Sequence, residues 1–169
     1  MTTYLDSLLV LTTPTTMYSK AKVSQFRQAF WTTFGQYMAP VPSAEGVPTN
    51  WINYKTGLKN VYFRMKADGR RASIGIELTH SDADIRALYF EQFLALKTVL
   101  HEAVGEAWQW ESDALDDHGQ PLARIYQMLQ PVNLFNRDDW PQLISFFKPR
   151  IIALDEFWSN AQYAFDDLR

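Results

Sequence analysis

The chain has 169 residues, a formal net charge of -3 and no cysteine, and aromatic residues make up 15% of it. The lack of cysteine excludes a disulfide framework, a thiol nucleophile and a cysteine-based zinc site. The small negative charge argues against general affinity for nucleic acids, although it leaves local basic patches open.

A chain of this length is most simply one domain, large enough to bury about 70% of the surface that its unfolded form exposes. We predict a single α+β domain over residues 19–169, preceded by an N-terminal segment, 1–18, whose pattern fits either a short strand or one helical turn. That segment has no basic cluster, and its longest apolar run, Leu8 to Leu11, is too short for a signal peptide or a membrane span. We therefore expect a cytoplasmic protein with no membrane partner.

The first regular elements are a helix and a short strand. Apolar side chains recur at helical spacing from Ser19 to Met38, and Pro40 ends the helix. Residues 40–48 contain three prolines and a glycine, which predicts a loop. We predict a strand from Trp51 to Lys55, because its alternate side chains would continue the apolar face of the hairpin that follows.

The clearest pattern is a hairpin between Val61 and Thr79, in which apolar and polar residues alternate on both sides of an Asp-Gly pair. Asp68 and Gly69 predict a two-residue turn, because both central positions of such a turn favour these residue types. In that register the facing pairs are Met65 with Ala72, Phe63 with Ile74, and Val61 with Ile76.

A long helix and a second strand pair are predicted next. Ser81 or Asp82 can cap the helix, and Gly105 is placed to end it. Strands are then expected at 107–112 and at Leu122 to Leu129, with an acidic turn between them. The apolar stripe that should face the core comprises Ile85, Leu88, Tyr89, Phe93, Leu96, Leu100 and Ala103.

The final helix is predicted to be capped by Asn136 or Asp138, with Pro141 in its first turn. We expect it to kink or break near Pro149, since a proline ring removes a hydrogen bond and clashes with the preceding turn. Beyond Pro149 an apolar seam at three-four spacing needs a partner, either the sheet or a second subunit. The residues of this predicted dimer or packing seam are Ile151, Leu154, Trp158, Phe165 and Leu168.

These elements predict an α+β fold in the order α-β-β-β-α-β-β-α. The sheet should be five-stranded and mostly antiparallel, with helices packed mainly on one face. Small dimeric binding proteins share this order, which is an analogy of topology and does not establish function.

One end of the hairpin region is strongly basic, with six basic residues and a single acid between positions 55 and 71. Several of these residues share the face opposite the apolar one, which would make an exposed cationic and aromatic patch. The candidate contacts for an anion or a nucleic acid are Lys55, Lys59, Tyr62, Arg64, Lys66, Arg70 and Arg71.

A nuclease site is the catalytic alternative, because the element order also fits the restriction-endonuclease core. That chemistry needs two acids to hold a divalent metal and a lysine beside them. Glu77 lies at the expected place but is followed by Leu78 and Thr79 instead of a lysine, so Lys66 would have to serve, with Asp68 as second ligand. No Ser-His-Asp set, P-loop or dinucleotide fingerprint is present, and we assign no catalytic residue, metal or cofactor.

The aromatic residues suggest a family context. The strongest motif is Gly105-Glu106 followed by Trp108 and Trp110-Glu111. From about Phe26 onwards the chain resembles the bacterial family known only as domain of unknown function 4268. In longer proteins that family looks like a C-terminal partner of nuclease-type modules, and it supplies no catalytic residues. Other segments that carry the resemblance are Phe30-Trp31, Trp51, Gly57 to Phe63, Phe90 to Lys97, Trp140 and Phe157-Trp158.

Three functional hypotheses follow. The leading one is a non-catalytic protein-binding or regulatory module that self-associates as a homodimer. The alternative is a nucleic-acid-binding or nuclease-accessory domain that uses the basic hairpin, residues 55–71. The third is a divergent metal-dependent nuclease. Among the aromatic residues, Trp51 and Tyr62 are the better candidates for exposed contacts, and covering by the N-terminal segment is the equal alternative.

Overall fold

A computed structural model describes residues 19–169, and the prediction made for the N-terminal segment lies outside the described residues. Helices and strands alternate in an α-β-β-α-α-β-β-α order, with one short 3-10 turn before the last helix and one after it. The elements are α1 (Lys20–Met38), β1 (Val61–Ala67), β2 (Ala72–Leu78), α2 (Ala83–Ala95), α3 (Lys97–Val104), β3 (Gln109–Leu115), β4 (Pro121–Leu129) and α4 (Trp140–Ala161).

The described part of the chain forms a four-stranded antiparallel sheet in the order β1-β2-β4-β3. The prediction of a fifth strand at Trp51 to Lys55 is wrong, because this segment is a turn followed by a loop. Its side chains bond elsewhere: Trp51 is buried and donates its indole N–H to the Val41 carbonyl at 2.9 Å. Trp51 is therefore a core residue, and its predicted exposure is also wrong.

The β1-β2 hairpin has the predicted faces but a different register. Ala67 pairs with Ala72 and Met65 with Ile74, so every partner is shifted by two residues. The turn is centred on Gly69 and Arg70, because the Asp68 carboxylate accepts the N–H groups of Arg70 and of the next residue at 2.8 and 3.0 Å. A two-residue shift leaves each side chain on the same face, which is why the apolar face was predicted correctly.

The predicted long helix is divided at Leu96 into α2 and α3. Its capping is as predicted: the Asp82 carboxylate accepts the first free N–H groups, and Gly105 ends α3 with φ 74°. The start of the predicted apolar stripe is wrong, since Ile85 and Leu88 are 44% and 50% exposed. Arg86 turns inward instead, and its Nη1 donates to the His80 carbonyl at 2.7 Å. Tyr89, Phe90 and Phe93 occupy the same buried face.

Helix α4 continues through Pro149, so the predicted break is absent, while the predicted kink stays a prediction. Proline removes the hydrogen bond to the Ser145 carbonyl, and Ser145 and Pro149 both lie on the exposed side of the helix. The side chain of Arg150 also donates to the Phe146 carbonyl at 3.0 Å and supports the same turn. At its start, Asn136 caps the 3-10 turn that leads into α4.

The helices cover one face of the sheet, and the apolar seam of α4 packs into this core. Trp158 illustrates the packing: its rings lie 5.9 Å from Phe93 and 5.4 Å from Phe165, and its indole N–H donates to the Thr56 carbonyl. Four members of the seam are at most 2% exposed and Leu168 is half-buried. The seam therefore finds its partner within the chain and gives no reason to expect a second subunit, so self-association remains a prediction. Across residues 19–169, no helix is both long and apolar enough to cross a membrane.

Candidate functional site

The face of the sheet that the helices of residues 19–169 leave uncovered is called the open sheet face. It carries polar and aromatic side chains in rows across the strands. Because facing residues of antiparallel strands project to the same side, the strand register defines these rows. The first row is Tyr62, Glu77, Arg124 and Glu111, the second is Arg64, Gly75, Tyr126 and Gln109, and the third is Lys66, Ser73 and Met128.

Glu77 lies between two basic side chains of β1. Its carboxylate is 2.8 Å from Lys66 Nζ and 4.0 Å from Arg64 Nε. The Arg64 guanidinium also stacks over the Tyr62 ring at 4.1 Å. Part of the positive charge predicted for this strand is thus neutralised by an acid of the neighbouring strand.

A second pairing occupies the other half of the face. Arg124 Nε donates to Glu111 at 2.9 Å, and the Tyr126 hydroxyl donates to the same carboxylate at 2.7 Å. The hydrogen bonds from Arg124 and then Tyr126 lower the pKa of Glu111. Burial, reinforced by the bond to Glu111, raises the pKa of Tyr126. At neutral pH, Glu111 is therefore ionised and Tyr126 is protonated.

Gly75 forms the floor between these two halves. It faces Tyr126 on β4, and a Cβ atom at this position would lie 2.6 Å from the Tyr126 Cβ. The side chain of Tyr126 is 8% exposed. A side chain at position 75 would take the space into which Tyr126 packs.

The open sheet face is concave and continues around the edge of β1 as a groove of about 660 Å³, which we call the sheet-face groove. Arg27 and Trp31 of α1 line it beside the edge, and Asp117 of the β3-β4 turn lines it as well. Five basic and three acidic side chains line the groove. It is a polar, mildly cationic concavity.

The structure separates the seven predicted contact residues into groups. Arg64, Lys66 and Arg71 line the sheet-face groove. Lys55 and Lys59 lie in the exposed loop before β1, at the other end of that strand. The remaining two are Arg70, exposed in the hairpin turn, and Tyr62, half-buried under Arg64.

Of the three residues proposed for a nuclease site, Glu77 and Lys66 form an ion pair at 2.8 Å, and Asp68 is the one that lies apart. Glu77 faces Tyr62, and Asp68 lies six positions after Tyr62, which corresponds to roughly 20 Å along a strand. The Asp68 carboxylate is bound to N–H groups of its own turn. No cluster of three or more potential metal-binding side chains occurs within residues 19–169.

The aromatic motif after α3 forms a brace to α4. Glu106 accepts hydrogen bonds from Arg150 at 2.7 and 3.1 Å and from the Trp108 indole at 3.0 Å. Burial alone would raise the pKa of Glu106, but the hydrogen bonds from Arg150 and Trp108 outweigh it and lower the pKa. His101 Nε2 accepts the Trp108 backbone N–H and the Trp110 indole N–H. These residues hold β3 against the helical layer.

A family model described as Domain of unknown function (DUF4268) matches residues 26–162, which include this brace and the whole sheet. The chain belongs to this family. The resemblance drawn from the sequence is confirmed. No curated protein and no solved structure matches the chain significantly.

Sequence reasoning missed three residues of the open sheet face in this DUF4268 domain: Glu111, Arg124 and Tyr126. Arg124 and Tyr126 alternate with the buried Ala123 and Ile125 along β4. That alternation is the signal that could have assigned them to the open face. Their contact with Glu111 depends on the pairing of β3 with β4, which residue types alone do not specify.

A buried carboxylate outside the groove was also missed. Asp155 of α4 is 5% exposed and accepts the Tyr54 hydroxyl at 2.6 Å and the Ala44 backbone N–H at 2.7 Å. Burial, followed by the bond to Asp155, raises the pKa of Tyr54. The phenol therefore stays protonated, and Asp155 fastens the loop between α1 and β1 to α4.

His80, at the end of β2, predicts a pH dependence of stability. It is 6% exposed and stacks on Tyr89, and neither ring nitrogen has a hydrogen-bond partner in the part of the chain that the structure describes. Burial, with a contribution from the Arg86 charge, lowers the pKa of His80 below its ordinary 6.5. The unfolded chain then binds more protons than the folded one below pH 6.5, so the free energy of unfolding should fall as pH decreases through that range.

Urea unfolding at pH 7.5, 6.5 and 5.5 checks this expectation. The variant His80→Phe keeps the stacked ring and removes the titrating group, so its stability should depend less on pH than that of the wild type. His118→Gln, at an exposed position, is the matched control and should follow the wild type. Equal pH dependence in the wild type and in His80→Phe would contradict the role assigned to His80.

Proposed function

We propose that this DUF4268 domain is a non-catalytic protein-binding module and that the sheet-face groove is its binding surface. The observation that carries the proposal is the pairing across the open sheet face. Glu77 is engaged by Lys66, and Glu111 by Arg124 and Tyr126. Such pairs fix the side chains of a recognition surface, whereas a carboxylate with a lowered pKa is a weak proton acceptor.

The composition of the groove supports a macromolecular ligand. Pockets for small molecules are lined mainly by apolar side chains, with a few polar groups that fix orientation. The sheet-face groove instead displays several arginines together with Tyr126 and Trp31. Arginine and aromatic residues are enriched in protein interfaces, where they supply much of the binding energy.

Nucleic-acid binding through the basic hairpin is the second candidate. The observation that favours it is that Arg70 and Arg71 are exposed and make no side-chain hydrogen bond or ion pair to any residue in the range 19–169. Arg64 and Lys66, however, share the charge of Glu77. The local cationic charge is thus smaller than the sequence indicated, which places this candidate second.

Affinity capture with the double variant Arg64→Glu, Lys66→Glu tests the proposed surface. The wild-type domain is used to capture proteins from extracts of cells that express it. We expect the double variant to retain at least about tenfold less of these proteins, because two attractive charges become repulsive. The matched control is Lys97→Glu, Lys148→Glu, which makes the same charge change on α3 and α4. Retention that both double variants leave intact would contradict the proposed surface.

Fluorescence polarisation with labelled single- and double-stranded DNA and RNA separates the two candidates. If about four basic groups contact phosphates, log affinity should fall with log salt at a slope of roughly -4 on duplex DNA. Binding with that slope, lost in Arg64→Glu, Lys66→Glu, would move the nucleic-acid candidate to first place. If none of the labelled DNA and RNA binds at low salt, nucleic-acid binding would be excluded as a function of this surface.

A further inference from the structure

We infer that the free edge of β1 accepts an acidic peptide as an additional antiparallel or parallel strand. This inference rests on the proposed protein-binding function and names the kind of partner. It depends on the direction of the β1 backbone groups, on the position of the groove beside the edge, and on the charges along it.

The hairpin geometry determines which backbone groups of β1 face outward. The bonds of Asp68 N–H to the Arg71 carbonyl and of Thr79 N–H to the Asn60 carbonyl mark the hydrogen-bonded pairs of the hairpin. Even-numbered residues of β1 therefore bond to β2, and the odd-numbered ones direct their N–H and C=O groups to the free edge. The outward-facing residues are Val61, Phe63, Met65 and Ala67.

Among residues 19–169, the contacts with this edge lie in its first part. The Thr56 hydroxyl donates to the Val61 carbonyl at 2.7 Å, and the Tyr54 ring stacks on Phe63 at 5.0 Å. The outward backbone groups of Met65 and Ala67 have no hydrogen-bond partner among residues 19–169. Unpaired strand edges bind extended peptides through such groups.

The sheet-face groove reaches this open part of the edge. Met65 and Ala67 line it together with Arg27 and Trp31 of α1. An added strand would lie between β1 and α1, with one row of side chains toward the open sheet face and the other toward Trp31. Space and free backbone groups thus occur at the same place.

The charges favour an acidic peptide, because five basic and three acidic side chains line the groove even though Glu77 already pairs with Lys66 and Arg64. Arg64 and Lys66 project from β1 to the open sheet face, and Arg71, on the β2 side of the hairpin turn, lines the same groove. The single nearby acid of the turn, Asp68, has its carboxylate engaged by backbone N–H groups. Cross-strand neighbours share a face, so acids at alternate positions of the peptide would lie next to Arg64 and Lys66, and apolar residues would lie next to Met65.

The same charges disfavour a second copy of this chain as the occupant. Antiparallel pairing of two β1 strands about Met65 would place Arg64 of one copy opposite Lys66 of the other. Like charges directly opposite each other destabilise strand pairing. The free edge is better matched to a peptide of opposite charge.

The test uses the full chain and a fluorescein-labelled octapeptide of alternating Glu and Val, measured by fluorescence polarisation. We expect binding that an alternating Lys and Val peptide does not show. Two further Glu-Val peptides carry N-methyl groups on every second backbone nitrogen, one on the Glu residues and one on the Val residues. Because only alternate N–H groups of an added strand face β1, one N-methylated peptide should bind like the parent and the other should lose at least about tenfold in affinity.

Protein variants test the same geometry. Ala67→Pro removes one outward N–H without removing a bond to β2, since proline is compatible with an edge strand at that position. We expect it to weaken peptide binding at least about tenfold. Arg71→Glu should cost about tenfold through charge reversal, and Arg70→Glu, which makes the same charge change outside the groove, should bind within about twofold of the wild type. If Ala67→Pro fails to fold by circular dichroism, the two arginine variants and the N-methylated peptides decide.

Several outcomes would overturn strand addition: no binding of the Glu-Val peptide, equal loss with both N-methylated peptides, equal effects of Arg71→Glu and Arg70→Glu, or concentration-dependent self-association that Ala67→Pro abolishes. Captured proteins that depend on Arg64 and Lys66 but not on Ala67→Pro would leave the binding module in place and remove only the strand-addition inference. If the capture test fails but the Glu-Val peptide binds as expected, the strand-addition inference would stay in place and the proposed binding module would be removed.

Discussion

Gly75→Ala is expected to lower the free energy of unfolding by about 3 kcal/mol or more. The added Cβ would lie 2.5 Å from the Ile125 carbonyl oxygen and 2.6 Å from the Tyr126 Cβ, and both neighbours belong to the paired strand β4. Relief requires a shift of the β4 backbone, because no flexible side chain end is available to move. Urea unfolding of the wild type and the variant measures the difference.

Gly35→Ala is the matched control. Gly35 lies inside α1, and an added Cβ would meet only the Ile52 side chain, at 3.4 Å, which can move. Alanine in a helix interior is favoured over glycine by about 1 kcal/mol, so this variant should be neutral or slightly more stable. Similar losses of unfolding free energy in both variants would show that the close backbone approach at Gly75 does not determine the effect.

Asp155→Ala should also cost about 3 kcal/mol of stability. The change removes the acceptor of the Tyr54 hydroxyl and the Ala44 N–H, and it leaves both donors without their partner inside the protein. It also detaches the loop between α1 and β1 from α4. The loss should appear as a lower urea midpoint, with earlier exchange of the amide hydrogens of that loop.

Tyr54→Phe separates the two hydrogen bonds of Asp155. It keeps the ring that stacks on Phe63 and removes one donor, so we expect a loss of about 1 kcal/mol. In the double variant the two losses should not add, because both changes remove the same bond. Asp167→Ala, at an exposed position, should change stability by less than about 0.5 kcal/mol. Additive effects of Asp155→Ala and Tyr54→Phe would contradict the bond that connects them.

Gly75→Ala and Asp155→Ala probe two different structural supports of the candidate site. Gly75 leaves the space into which Tyr126 packs on the open sheet face, where the Tyr126 hydroxyl reaches Glu111. Asp155 fastens the loop that places Tyr54 against Phe63, next to the occupied part of the β1 edge. The groove therefore depends on one close backbone approach within the sheet and on one buried carboxylate in the helical layer.

The sequence by itself determined the features that depend on neighbouring residues. Alternation assigned the faces of β1 and β2, Asp82 and Gly105 marked the helix ends, and the helix after Ser19 was placed correctly. These features arise from side-chain periodicity and local capping, which operate over a few residues. The aromatic motif around Trp108 likewise identified the family.

Tertiary structure decided what depends on distant contacts. The segment from Trp51 forms no strand, because Trp51 and Tyr54 bond to a loop and a helix instead of a strand ladder. In α2, Arg86 is buried and bonds to the His80 carbonyl, while Ile85 faces solvent. The site was foreseen only as a basic hairpin, since the acids that pair with its face come from β2 and β3. Which charges meet across a sheet is determined by strand order and register, and these are set by the packing of the whole chain.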